Sequence, residues 1–150
     1  MRVSFSGKEH INANITDSEN FFSDTEMVSK CIPDSRDFSK MGDNEFSIAV
    51  EVGIGNLRGT FLIHGLFEKE GNGLIKYLLT GGGFGNKVNI QLVVRMDGDA
   101  AATNLSWNAD FDVSGIISGL GQGIVRGVSE EKISEIISNI KAVLEKNKQG

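Results

Sequence analysis

The chain holds one cysteine, one proline and two histidines. A lone Cys31 leaves no internal disulfide and no thiolate metal cluster; at a helix end it reads as a small buried hydrophobe. Neither His10 nor His64 has a Cys, Asp or Glu at ligand spacing in its own segment, so no metal site is expected. Asp110 and Asp112 share one strand face, which reads as solvated rather than as a cation site. There is no Ser-His-Asp order, no Gly-x-Ser-x-Gly elbow and no pair of carboxylates in an apolar setting, so no catalytic residue is assigned. No apolar run approaches the ~20 residues of a membrane span. Met1-Arg2-Val3-Ser4-Phe5-Ser6 lacks the apolar stretch of a signal peptide, which leads to the expectation of a cytoplasmic protein. An excess of positive charge is missing too. With 15 basic and 20 acidic residues the net charge is −5, and the electrostatic case for nucleic acid falls away.

What the chain has in excess is glycine, 19 residues against the single proline. Ten lie between Gly53 and Gly85 and five between Gly115 and Gly127, interleaved with apolar residues throughout, which is not a linker's composition. A length of 150 residues fits one domain, 1–150, with a core of its own. The densest stretch, Thr80-Gly81-Gly82-Gly83-Phe84-Gly85-Asn86, lacks the spacing of a phosphate loop, and a strand pattern follows it rather than a helix. The dinucleotide fingerprint fails as well: its third glycine would fall on Asn86 or Val88.

Period two runs through most of the chain. Val3, Phe5, Gly7, Glu9 and Ile11 share one side of a first strand. Thr16 with Glu19, then Asp24, read as the starts of two short helices, and Pro33 stops the second. Residues 34–42 are weak and polar, an edge strand. Phe46, Ile48, Val50 and Val52 form one face of the next strand. Leu57, Gly59, Phe61, Ile63, Gly65 and Phe67 form another, followed by Ile75, Tyr77, Leu79 and Gly81. Val88, Ile90, Leu92, Val94 and Met96 alternate likewise, as do Leu105, Trp107, Ala109, Phe111 and Val113. This is the pattern of half-buried antiparallel strands, with hairpin turns at residues 70–73 and 97–99. From about Ile116 the period is helical. Ile133, Ile136, Ile137, Ile140, Val143 and Leu144 mark one face of a helix expected over 116–146, about 46 Å long. The simplest packing wraps a curved sheet of six or seven strands around that helix.

The glycines on the inner face, Gly59, Gly65, Gly81 and Gly83, would let the sheet curl and leave space beneath it. Gly119, Gly123 and Gly127 recur every four residues along the helix. They imply either close contact with the sheet or room for a guest.

Two segments carry a family resemblance. Residues 21–34, FFSDTEMVSKCIPD, are similar to the fLxDpexlxxCIPG segment of the carbon monoxide dehydrogenase CoxG family. Residues 105–128, LSWNADFDVSGIISGLGQGIVRGV, resemble that family's strand-to-helix junction. The likeness spans nearly the whole chain in order, with Cys31-Ile32-Pro33 and the Val113–Val128 junction its most specific parts. Asp34 departs, standing where the family usually has glycine. So does the end: the helix stops at 146–150, without the membrane-holding tail of some members. The resemblance implies an α+β helix-grip fold of the START-like, SRPBCC kind. That means seven antiparallel strands, two short helices after the first strand, and a long C-terminal helix closing a hydrophobic cavity. It also implies a non-enzymatic accessory to a molybdenum-type carbon monoxide dehydrogenase, recruiting the enzyme to the membrane or carrying a quinone to it. No cofactor is implied.

Together these readings place the ligand-contacting residues at Phe21, Phe22, Phe61, Ile63, Tyr77, Leu79, Gly81, Gly83, Phe84, Trp107, Phe111, Leu120 and Ile124. Phe21 and Phe22 would act as a lid. The Tyr77 hydroxyl and the Trp107 indole N–H would hold a quinone carbonyl. The expected partners are a quinone or lipid-like molecule, a molybdenum hydroxylase-type dehydrogenase, and transiently the inner membrane face. A pure docking protein with a filled core is the alternative. A START-like cyclase or hydrolase would need two convergent ionisable groups in the cavity, where the inner faces offer only Tyr77 and Glu9.

Overall fold

A computed structural model describes residues 1–149. Strand β1 (Arg2–Ile11) leads into two short helices, α1 (Ile15–Phe22) and α2 (Thr25–Ser29). Six strands follow: β2 (Ser35–Lys40), β3 (Glu45–Ile54), β4 (Leu57–Lys69), β5 (Leu74–Gly83), β6 (Asn86–Gly98) and β7 (Thr103–Gly115). A 3-10 turn (Ile116–Leu120) connects to the long helix α3 (Gln122–Gln149). The seven strands form one antiparallel sheet in the order β1-β7-β6-β5-β4-β3-β2. Every hairpin neighbour in sequence is a neighbour in space; β1 alone crosses over, closing against β7.

The apolar faces read from the alternation all point the same way. Phe46, Ile48, Phe61, Ile63, Ile75, Tyr77, Val88, Val94, Leu105, Trp107 and Phe111 are buried together with Val125, Ile133, Ile137, Ile140 and Leu144 of α3. The polar residues between them, such as Asn89, Gln91, Asn104 and Asn108, are exposed. β2 is the edge its polarity implies, with a register shift between Arg36 and Ser39.

Two local expectations are corrected. Helix α1 begins before Thr16: Asn14 is its cap, accepting from the Asp17 N–H at 2.7 Å, and the Ile15 N–H reaches the Asp99 carbonyl at 3.0 Å. The terminal helix does not start at Ile116. Gly115 (φ 108°) and Gly121 (φ 98°) take backbone angles that no α-helix contains, so the chain turns off the sheet, makes one 3-10 turn and starts again. The reading of the helix end at 146–150 reaches Gly150, outside the described residues; α3 itself runs through Gln149. Asp24 does cap α2, accepting from the Met27 N–H at 3.2 Å. Asp34, where the resembling family has glycine, adopts φ 59°. This is the left-handed region glycine enters freely, and a short Asp side chain tolerates it better than most.

Helix α3 is held on one flank. The Gln122 amide donates to the Arg2 carbonyl at 2.8 Å, Lys141 pairs with Glu9 at 3.0 Å, and the Asn12 N–H donates to Glu145 at 2.8 Å. The Asn139 amide donates to the Cys31 carbonyl at 2.9 Å. These ties bind the helix to β1 and to the end of α2, and leave its first three turns without a polar tie to β3, β4 or β5 among the described residues.

Candidate functional site

Under those first turns lies an apolar cavity of about 170 Å³. Its floor is the inner face of the sheet: Phe46, Ile48, Val50, Val52 and Ile54 of β3, Phe61 and Ile63 of β4, Leu79 of β5, Val88 and Ile90 of β6, and Phe111 and Val113 of β7. Its roof is Ile117 with Val125, Val128, Ser129, Lys132, Ile133 and Ile136 of α3, and Ile32 closes one side. The roof residues are spaced three, four, seven and eight apart, one face of a helix. Leu79 and Ile90 sit on central strands with inward side chains and are still only half-buried, as a hollow above them requires. Val50, Val52 and Ile32 on one side, and Val128, Ser129, Lys132 and Ile136 on the other, are half-exposed and mark the mouth.

The hollow does not come from the glycines. A side chain at Gly59 would run into the ring of Phe84, at Gly65 into Phe46 and Leu79, at Gly81 into Ile63 and the Leu62 carbonyl, and at Gly83 into the Thr60 carbonyl. The chain's own side chains and backbone fill those gaps, and Gly7 is filled the same way by Trp107. Gly119, Gly123 and Gly127 neither touch the sheet nor line a guest site: they face open solvent. The cavity lies between the side chains of β3 and the neighbouring strands and those of α3.

Of the residues read from the sequence as ligand contacts, Phe61, Ile63, Leu79 and Phe111 lie in this wall. Phe84 packs at a tilt against Phe61 with ring centres 5.2 Å apart, and is not part of the cavity wall. Gly81 and Gly83 lie in β5 under the covering groups just named. Phe21 and Phe22 are buried in α1, and Tyr77 and Trp107 in the sheet, none of them in the wall. Leu120 is half-buried in the 3-10 turn, and Ile124 is 51% exposed on the outer side of α3. Selecting aromatics and glycines missed the aliphatic row of β3, although its alternation was plain, and missed Lys132, which breaks the apolar face of α3 seven residues after Val125.

Neither Tyr77 nor Trp107 is placed to hold a quinone carbonyl. The Tyr77 hydroxyl donates to the Phe22 carbonyl, tying α1 to the sheet. Burial pushes its phenol well above the ordinary value of 10. As pH rises the unfolded chain loses this proton first. The stability that Tyr77 contributes is therefore complete below about pH 10 and falls above it. Tyr77 is the chain's one tyrosine, so the phenolate absorbance band reports on it alone. At about pH 11 the folded protein should show no phenolate band, the band appearing only with unfolding, whereas in urea the phenol should titrate near 10. A normal titration of the folded protein would contradict the buried hydrogen bond.

Lys132 apart, the other titratable groups that interact visibly sit away from the cavity. His64 pairs with Glu45 at 2.7 Å and His10 meets Asn104 at 2.9 Å, both on the outer face. Glu51 is held below the usual carboxylate range by hydrogen bonds from Thr60 and Arg36. Burial raises the Cys31 thiol, which keeps it protonated and unreactive. A wider depression of about 620 Å³ on the outer side of β1, β7 and β6 is lined by Lys8, His10, Arg95 and Asp97 and is open to water. We take the apolar cavity as the site, because its apolar wall favours desolvation of a ligand and the polar lining of the outer depression does not.

Solved structures share the architecture. A conserved protein from Geobacillus kaustophilus superposes with a TM-score of 0.87 at 20% identity, 96% of each chain being covered. A START superfamily protein from Mycobacterium smegmatis gives 0.77 at 12% identity, over 95% of this chain and 97% of that one. The Zhui aromatase/cyclase from Streptomyces gives 0.72 at 12%, over 97% and 94%. At these identities the likeness speaks for the fold, the START-like helix-grip fold, and not for an activity. No relative was found among curated proteins. Residues 7–145 match the carbon monoxide dehydrogenase CoxG family, a span that takes in the whole cavity wall and the helix that roofs it, and the chain belongs to that family.

Proposed function

We propose that the protein is a non-catalytic accessory of a molybdenum-type carbon monoxide dehydrogenase, and that it carries a quinone or lipid-like molecule in the cavity beneath α3. The observation that carries this reading is the cavity itself: about 170 Å³ of space, open at one mouth, with an almost wholly aliphatic and aromatic wall. A sealed apolar cavity of about 150 Å³ takes up a benzene-sized guest, and the space here is of that order. The space suits one six-membered ring. An isoprenoid tail has no room inside and would leave through the mouth between β3 and α3, where Val50, Val52, Val128 and Ile136 offer apolar surface.

The cavity does not favour an enzyme. One titratable side chain, Lys132, reaches its wall among the described residues, short of the two convergent ionisable groups that a START-like cyclase or hydrolase was expected to need. No helix among the described residues is long and apolar enough to cross a membrane. A cytoplasmic protein that touches the inner membrane face from one end fits the exposed Ile116 and Ile124, 57% and 51% accessible, beside the glycine turn. A pure docking role has one observation in its favour, that the chain's own side chains and backbone fill the glycine gaps.

Organic extraction of the purified protein, read by mass spectrometry, should release a quinone or lipid in near-stoichiometric amount. Added short-chain quinone should raise the melting temperature of the emptied protein by a few degrees. A clean extract with an unmoved melting temperature leaves the docking role standing and removes the carrier.

A further inference from the structure

The cavity wall contains two residues with polar side chains, and one of them is already committed. The Ser129 hydroxyl donates to the Val125 carbonyl at 2.7 Å, inside its own helix. The other is Lys132, half-buried at the mouth. Its neighbours one turn away on α3, Val128 and Ile136, are both apolar and both line the same cavity. Among the described residues it makes no ion pair, although the chain has 20 acidic residues. Lys141, also half-buried and nine residues further along the same helix, is paired with Glu9 at 3.0 Å. An ammonium offers three donors and no acceptor. At the rim of an apolar space it adds one specific property, affinity for an oxygen that accepts.

We infer that Lys132 recognises the polar end of the ligand, and that the ligand is an apolar body with a carbonyl or carboxylate oxygen at one end. The inference rests on the carrier reading above and sharpens it. The apolar part fills the space over Leu79 and Ile90, and the acceptor oxygen sits at the mouth within reach of the lysine's four-carbon stem. Neutral hydrocarbons of the same size enter the cavity but gain nothing from Lys132. Quinones and fatty acids share the chemistry that Lys132 selects, and they differ in charge.

The test titrates the full chain, emptied of ligand, with three probes by calorimetry: tetramethyl-1,4-benzoquinone, octanoate and p-xylene. In Lys132→Met the affinity for the quinone or for octanoate should fall about tenfold or more, the worth of a hydrogen bond from a charged donor. p-Xylene should bind both proteins alike, and Lys132→Arg should retain most of the acceptor affinity. The acceptor probe that binds more tightly and depends on Lys132 identifies the source, quinone or fatty acid. If Lys132→Met leaves both acceptor probes unchanged, the lysine stem merely covers apolar surface and the inference is overturned while the carrier reading stands. If p-xylene binds and neither acceptor probe does, the inference again fails alone. If none of the three binds the wild-type chain, the carrier reading fails and takes the inference with it.

Discussion

Val50→Trp should lower the affinity for a small apolar ligand by about a hundredfold, close to 2.8 kcal/mol, and leave the fold in place. Val50 stands on β3 at the cavity mouth, opposite Phe61 in the register and half-exposed. An indole placed there has empty space to enter, so it does not force its neighbours off their rotamers as it would in a filled core. Overpacking of a filled core typically costs about 1–3 kcal/mol. Here the stability should change by less than about 1 kcal/mol or rise, as cavity-filling substitutions often do. The readouts are the quinone-induced melting shift, which should vanish, and the denaturant midpoint without ligand, which should hold. A variant that still binds would mean that the ligand sits elsewhere, with the outer depression over β1 and β7 the next place to look.

The largest loss of stability is expected at the other end of the same helix. Ile140 is 1% exposed and Ile133 is 6% exposed, and both face the sheet from α3. Ile133 borders the cavity and Ile140 does not. Truncating Ile140 to alanine removes a side chain packed on all sides, at about 4 kcal/mol. Ile133 already lacks partner atoms on its cavity side and has less dispersion energy to lose, so Ile133→Ala should cost about 2 kcal/mol. Guanidinium unfolding of the two variants without ligand measures the difference directly. Equal costs would show that the hollow has collapsed in solution and that the helix packs on the sheet throughout.

Much of this architecture is legible in the residues. β3 to β7 follow from alternation alone, because the period of two is local and each strand repeats it along its length. The ends of elements are less legible. Thr16 is a good capping residue, and the helix still starts before it, because the Asn14 side chain and the distant Asp99 carbonyl hold the first turn. Ile116, Ile117, Leu120 and Ile124 have helical spacing, and the helix still breaks. A glycine at 121 makes a left-handed angle available, and the route off β7 uses it. The aromatics drew attention as ligand contacts by their size. Most of them instead cover glycines or anchor the short helices.

The sequence by itself determined the order of the strands and helices, the inward faces of β1 and of β3 to β7, and the helical stripe of α3, since each depends on residues a few positions apart. It also carried the family likeness in Cys31-Ile32-Pro33 and in the strand-to-helix junction. Only the tertiary structure decided where space was left over. That depends on which distant side chain lies across each gap: Trp107 over Gly7, Phe84 over Gly59, Phe46 over Gly65. It depends equally on the flank by which Gln122, Lys141 and Glu145 pull the helix towards β1. A void is a difference between volumes brought together from remote parts of the chain, and no local pattern encodes it.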